Sequence, residues 1–337
     1  MDTQINLNKI SKILILNLGG IGDILLSQPA IKALKKETGI QIAMAVIPRA
    51  AELVKTWEFV DDTKIIPVSN KISMLKSLLE LSKAKYDIAI NMRTIHSKIS
   101  ALKMKLVLKV IKPGIACGRN TDNMADYFDM SIKETVPGEK HEMEYSIEQI
   151  EQLGIKVEEK AIEWYWTGNE KSCSDSLYAV INPGAGFYSR RWPLERYKEI
   201  VKYLIEKKEI KKIIISGSIK EIGLGEELKA EYKNSVENMA GKTSVMDVAN
   251  IVKKSKVLIT NDTGLLHIGA SLNVPMIAIM GPGDFKRYDP RYISENARIL
   301  YKGAECAPCE KNKCNDTICL NSITVEEVKK EIDESIN

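Results

Sequence analysis

Short apolar runs alternate along the chain with longer stretches of helical period. "KILILN", "IQIAMAVI", "TKIIPV" and "YDIAINM" recur through the first half, and "YAVINP", "KKIIISG", "KVLITND" and "PMIAIMG" through the second. Runs that are apolar on both faces and separated by amphipathic helices predict parallel strands covered on both sides. The fold class is therefore α/β, with two doubly wound domains. The last stretch, "TVEEVKKEIDESIN", carries apolar residues at helical spacing behind Thr324, a suitable N-cap, with Glu326 and Glu327 in the first turn.

A length of 337 residues suits two cores of roughly 150 residues each. Between them "EWYWTGNEKSCSDS" ends an aromatic-rich strand in a polar stretch, the best linker candidate. The expected division is 1–166, a linker at 167–177, a second domain at 178–322 and a terminal helix at 323–337. Both halves open alike, with a strand running into a glycine turn, "ILILNLGGIG" and "AVINPGAG".

A net charge of +4 is too mild for a dedicated nucleic-acid binder. The first residues lack the layout of a signal peptide and no apolar run approaches the length of a membrane span, so a cytoplasmic location is expected.

Candidate chemistry sits at the ends of the expected strands. In "NLGGIGDILLSQP" the glycine spacing is G-G-x-G, which disfavours a dinucleotide site. Asp23 at the start of the following helix reads either as a helix cap or as a catalytic carboxylate. In "INPGAGFYSRRWP" the forks of Arg190 and Arg191 suit a diphosphate, or are simply solvated. Pro193 suits the first turn of the next helix. "VLITNDTGLLHIGAS" places Asn261 and Asp262 at a strand end, with Thr263 and Gly264 opening a helix whose free N–H groups and dipole favour an anion. The Thr263 hydroxyl is a further donor to a phosphate. His267 one turn on is either a packed core histidine or a group facing the same crevice. "ISGSIKE" adds Glu221, suited to ribose hydroxyls. Three such loops in one domain describe a nucleotide diphosphate site. No Walker A sequence, G-x-S-x-G or D-x-D occurs, so the diphosphate has to be met by arginines and a helix terminus.

"ILILNLGGIGDILLSQPAIKALK", "INPGAGFYSRRWP", "ISGSIKE", "AGKTSVMDVANIVKKSKVLITNDTGLLHIGAS" and "CAPCEKNKCNDTICLNSITVEEV" together resemble glycosyltransferase family 9, the ADP-heptose:lipopolysaccharide heptosyltransferases, over nearly the whole chain. The resemblance implies a GT-B fold, two Rossmann-like domains facing across a cleft, with the acceptor held by the first and a nucleotide sugar by the second. It implies inverting, metal-independent transfer, with no cofactor beyond the donor, from an ADP-sugar to a lipopolysaccharide or other cell-envelope glycan. It makes Asp23 the general base and Arg190, Glu221, Asp262, Thr263, Gly264 and His267 donor-site residues, with Arg191 beside them. Ala185, Gly186 and Thr243 fall where the family contacts phosphate and adenosine. Asn17 stands where the family usually has Arg or Lys, at a position suited to an anionic acceptor. A sugar-nucleotide epimerase of the same fold, or a non-catalytic nucleotide-sugar binder, is the alternative.

Lys98, Lys105, Lys109 and Lys112 share roughly one helical face, with Arg93 and Arg119 nearby. The stripe is either a solvated face or a contact to anionic head groups at the inner membrane surface. Cys306, Cys309, Cys314 and Cys319 follow C-x2-C-x4-C-x4-C, close enough for a structural zinc ion but unlike a standard zinc ribbon, leaving metal binding, disulfides or free thiols open.

Overall fold

A computed structural model describes residues 5–136, 138–165, 177–208, 210–309 and 311–336. The chain divides into two compact units, residues 1–165 and 166–337. The expected linker at 167–177 lies almost wholly outside the described residues.

The first unit runs β1 (Lys12–Asn17), α1 (Ile21–Thr38), β2 (Gln41–Val46), α2 (Ala51–Lys55), β3 (Asp62–Ile65), α3 (Lys71–Lys83), β4 (Ile88–Asn91), α4 (Lys98–Ile111), β5 (Ile115–Thr121), β6 (Met130–Glu134) and α5 (Glu142–Glu151). The second runs β7 (Tyr178–Asn182), α6 (Leu194–Lys207), β8 (Lys212–Ile215), α7 (Ile222–Lys229), β9 (Val236–Asn238), α8 (Val245–Lys253), β10 (Val257–Asn261), α9 (Gly264–Ser271), β11 (Met276–Ile279), β12 (Ala297–Leu300), α10 (Ile318–Asn321) and α11 (Val325–Ser335).

Each unit holds a six-stranded parallel sheet, ordered β3-β2-β1-β4-β5-β6 and β12-β11-β10-β7-β8-β9. Counted from the first strand of each unit, the two orders are the same, 3-2-1-4-5-6. In such sheets the order reverses between strands one and four, and a crevice opens at their carboxyl ends. The central strands are apolar on both faces because helices cover both: Ile13, Leu14 and Ile15 of β1 and Val257, Leu258 and Ile259 of β10 are all fully buried.

Four strands, β5, β6, β9 and β12, lie beyond the eight apolar runs. The expected aromatic strand before the linker does not form in its described part, residues 161–165, which are irregular. They are fixed to α1 through Gln28, whose side-chain N–H donates to the Glu163 carbonyl at 2.8 Å and whose oxygen accepts from the Glu163 N–H at 2.6 Å. One glutamine thus does for a single residue what a strand partner would do.

Thr324 caps α11 as expected, its hydroxyl accepting from the Glu327 N–H while the Glu327 carboxylate accepts from the Thr324 N–H at 2.9 Å. Val325, Val328 and Ile332 on α11 enter the core of the second unit with Trp192 and Leu320, so this helix completes that core.

Candidate functional site

In the second unit the loops after β7, β8 and β10 converge around two ion pairs. The loop after β7 is held by Asn261, the last residue of β10. Its side-chain N–H groups donate to the carbonyls of Pro183 (2.9 Å) and Gly184 (3.1 Å), and its oxygen accepts from the Trp192 N–H (3.2 Å) and the Tyr197 hydroxyl (3.0 Å). A buried amide using both ends in this way sets the loop's course from 183 to 192. Nothing in the sequence beyond the strand end signals this function of Asn261, because its partners come from elements far from it in the chain.

The loop presents its two arginines to two carboxylates. Arg190 Nη1 lies 3.0 Å from Asp262 Oδ2, and Arg191 Nη2 lies 3.6 Å from Glu221 Oε1. Arg191 also donates to the Ala185 carbonyl through Nε (3.2 Å) and Nη2 (3.0 Å). Asp262 and Glu221 are buried and both arginines are partly exposed. Each guanidinium is therefore held from behind by an acid and open on one side, which fixes its direction. Phe187 and Tyr188 lie under Arg190 and Arg191 at 5.2 and 5.6 Å.

Glu221 has partners of its own on both carboxylate oxygens. Its Oε2 accepts from the Ser218 N–H (2.7 Å) and hydroxyl (2.8 Å), so one oxygen serves its own turn and the other faces Arg191. The Thr263 hydroxyl oxygen caps α9 by accepting from the Leu265 N–H (3.2 Å) and accepts from Asn182 Nδ2 (3.0 Å). The Leu266 N–H donates to the Thr263 carbonyl at 3.1 Å, so what α9 offers an anion is the Gly264 N–H and the positive end of its dipole. His267 is buried on α9, edge-on to Tyr288 with ring centres 5.7 Å apart, in the manner of a packed core histidine. Ala185 is buried and contributes its carbonyl to Arg191, Gly186 has open space where a side chain would stand, and Thr243 is partly exposed just before α8 and its cap Ser244. Pro193 is the N-cap of α6, one residue before its expected place inside the helix.

Two glycines are required by these carboxylates. A Cβ at Gly184 would overlap the Glu221 carboxylate, and one at Gly283, in the loop after β11, would overlap that of Asp262. Gly184→Ala is expected to displace Glu221 and, through it, Arg191, and to destabilise the second unit by about 1–3 kcal/mol, the scale for a strained or broken buried contact, as read by calorimetry.

In the first unit Asp23 is the third residue of α1. The N-cap is Gly20, whose N–H donates to Asp23 Oδ2 at 2.7 Å. Asp23 thus caps from inside the helix, and its side chain remains partly exposed. A Cβ at Gly19 would collide with that carboxylate, so the glycine pair leaves the acid room to fold back. Asn17 is buried: Nδ2 donates to the Asp23 carbonyl and to Ser27 Oγ, both at 3.1 Å, and Oδ1 accepts from the Gly19 N–H at 3.3 Å. It staples the turn and is closed to an anionic ligand. Two arginines border the same turn: Arg93, after β4, donates to the Leu18 carbonyl at 3.3 Å, and the exposed Arg49, after β2, approaches Gly20. Arg49 carries no signal in the sequence, where nothing links it to residue 20.

Lys112 is the C-cap of α4, just past the helical stripe, and Arg119 does not belong to that stripe at all. Arg119 is fully buried, bidentate to Glu142 at 2.9 and 3.0 Å, bonded to Thr94 Oγ1 at 2.6 Å, and 3.9 Å from buried Glu134. Among the described residues no three of His, Cys, Asp and Glu are placed to hold a metal ion together. Cys306 is exposed, Cys309 and Cys314 are partly exposed and Cys319 is buried, with no disulfide among them. A four-thiolate zinc site is not assembled in this arrangement. A hydrogen bond from the Thr317 N–H pulls the Cys314 thiol below its ordinary pKa, and burial pushes that of Cys319 up.

Residues 74–318 match the description Glycosyltransferase family 9 (heptosyltransferase). The chain belongs to this family. It is 34% identical to lipopolysaccharide heptosyltransferase 2 of Escherichia coli (strain K12) over 155 residues, 44% of this chain and 42% of that one. The match thus spans about two fifths of the length of that relative. It is 24% identical to lipooligosaccharide heptosyltransferase 2 of Campylobacter jejuni, covering 91% of this chain and 93% of that one. The structure of E. coli ADP-heptose lps heptosyltransferase II superposes with a TM-score of 0.74 at 22% identity, over 96% of this chain and 98% of that one, which establishes the common GT-B fold.

Proposed function

We propose that this family 9 chain transfers a heptose, or a related sugar, from an ADP-sugar to a lipopolysaccharide or other cell-envelope glycan, with inversion at the anomeric carbon and without a metal ion. The observation that carries this reading is the pair of backed arginines, Arg190 on Asp262 and Arg191 on Glu221, beside the N-terminus of α9. Together they supply fixed positive charge where a departing diphosphate develops negative charge. The names of the relatives supply the sugar and the nucleotide.

In this reading the acceptor hydroxyl attacks the anomeric carbon while Asp23 takes its proton, and the bond to the diphosphate breaks with its electrons leaving on ADP. A base on the attacking side and charge stabilisation on the leaving side are what single-step inversion requires. The carboxylate of Asp23 is held by the Gly20 N–H with one oxygen, which aims it without burying it. Arg49 and Arg93 beside that turn provide the positive charge that Asn17 does not, and suit an anionic acceptor.

Incubation with ADP-heptose and a heptose-acceptor lipopolysaccharide core tests the reading: transfer and release of ADP are expected, with the anomeric configuration of the product opposite to that of the donor. Conversion of the donor alone to an isomer would instead indicate an epimerase. Arg190→Met is expected to raise the Kd for ADP by about tenfold to a hundredfold, since it removes a charge-assisted contact and leaves Asp262 facing the diphosphate. Unchanged ADP affinity would place the nucleotide elsewhere.

A further inference from the structure

We infer that the outer faces of α3 and α4 form a surface that docks on an anionic phospholipid bilayer. The two helices pack side by side over one face of the first sheet, and Leu78, Leu81, Leu108 and Ile111 fill the core beneath them. Each helix carries a second apolar row on the side away from that core. On α3 it consists of Ile72, Leu75 and Leu79, and on α4 of Ile99, Leu102 and Leu106, all exposed, up to 72% at Ile72 and 67% at Ile99. Helical spacing of three and four residues aligns each row along its axis. Surface helices ordinarily turn polar residues outward, and an exposed apolar patch of this kind marks a contact surface.

The charges beside the rows identify the partner. On α4, Lys98, Lys105 and Lys109 form one flank of the leucine row and Lys103 the other, and the helix contains no acid. Lys71, Lys76 and Lys83 on α3 are exposed as well, against the single acid Glu80. Apolar side chains bordered by lysines match the boundary between acyl chains and anionic head groups, where the apolar row enters the interface and the lysine stems reach the phosphates. A second copy of this chain is the poorer occupant, because a two-fold contact would set these lysines against their own copies. No described helix is long and apolar enough to cross a membrane, so the contact is made from the surface. The proposal rests on the transferase reading in so far as a lipopolysaccharide acceptor carries a lipid, but its test does not depend on turnover.

The test is co-sedimentation of the full chain with vesicles of phosphatidylcholine containing phosphatidylglycerol, compared with phosphatidylcholine alone. Binding is expected to the first and to be weak to the second. A lysine near an anionic surface contributes roughly a factor of five to partitioning, so Lys98→Glu/Lys105→Glu/Lys109→Glu is expected to lower it by about a hundredfold or more. Leu102→Ser/Leu106→Ser is expected to lower it by about tenfold and to leave a remainder that salt abolishes. Both variants alter exposed side chains, so their Tm and their affinity for ADP stay at the wild-type values. Equal sedimentation of wild type and variants overturns the proposal, as does a concentration-dependent dimer that forms without lipid and is lost in the leucine variant. Transfer to a detergent-dispersed acceptor without vesicle binding would defeat this surface alone, and vesicle binding without any transfer would defeat the transferase reading alone.

Discussion

Asp23→Asn is expected to lower kcat for sugar transfer by roughly 10²- to 10⁴-fold, the range for losing a positioned general base. The substitution separates the proposed base from the helix cap. An amide oxygen can still accept from the Gly20 N–H, which lies 2.7 Å from the native carboxylate, so the start of α1 keeps its cap and Tm should move by about a degree or two at most. An amide cannot take a proton. Affinity for ADP should also be unchanged, because the groups proposed to bind it belong to the other unit. Asp23→Ala removes both functions, and should add to the same loss of turnover a destabilisation of about 1 kcal/mol. Turnover near wild type in Asp23→Asn would remove Asp23 from the mechanism and leave it as a capping residue.

The second large effect is on stability. Arg119→Ala is expected to destabilise the first unit by about 3–5 kcal/mol, because it leaves Glu134 and Glu142 buried without the cation that both face. For a unit of this size that corresponds to a fall in Tm of roughly 10 °C, measured by calorimetry. The loss belongs to the broken set more than to the ion pair itself. Replacing all three with apolar residues, Arg119→Met/Glu134→Leu/Glu142→Leu, should recover most of it. A fall of only about a degree or two in Arg119→Ala would mean that water reaches the site and solvates both carboxylates.

The same residue shows what a sequence conceals. Arg119 lies in "IACGRNT", a strand interrupted by polar residues, and its partner Glu142 is contributed by α5, after another strand. Pattern alone places such an arginine on the surface, and only the tertiary arrangement reveals the bidentate acid and the Tyr145 ring 4.3 Å from the guanidinium. The strands without a clean apolar run, β5, β6, β9 and β12, are illegible for a related reason: β9 and β12 have three and four residues, and β6 carries Lys133 and Glu134. The eight central runs are legible because both of their faces are buried, which demands continuous apolar sequence. At the candidate site the residue types announce phosphate chemistry, but not their pairing. That Arg190 meets Asp262, that Glu221 turns back on Ser218, and that Asn17 faces inward are consequences of loop paths fixed by Asn261, Gly184 and Gly19.

The identical strand order of the two sheets has a consequence for how such a protein diversifies. The turn with Asp23 and the loop with Arg190 each follow the first strand of their own sheet, and each sheet has a core of its own. What receives the sugar and what donates it are, on the proposed reading, recognised by separate modules. A lineage can remodel the segments around residues 18–23, 49 and 93 to greet a new recipient while the grip on the activated sugar stays as it was.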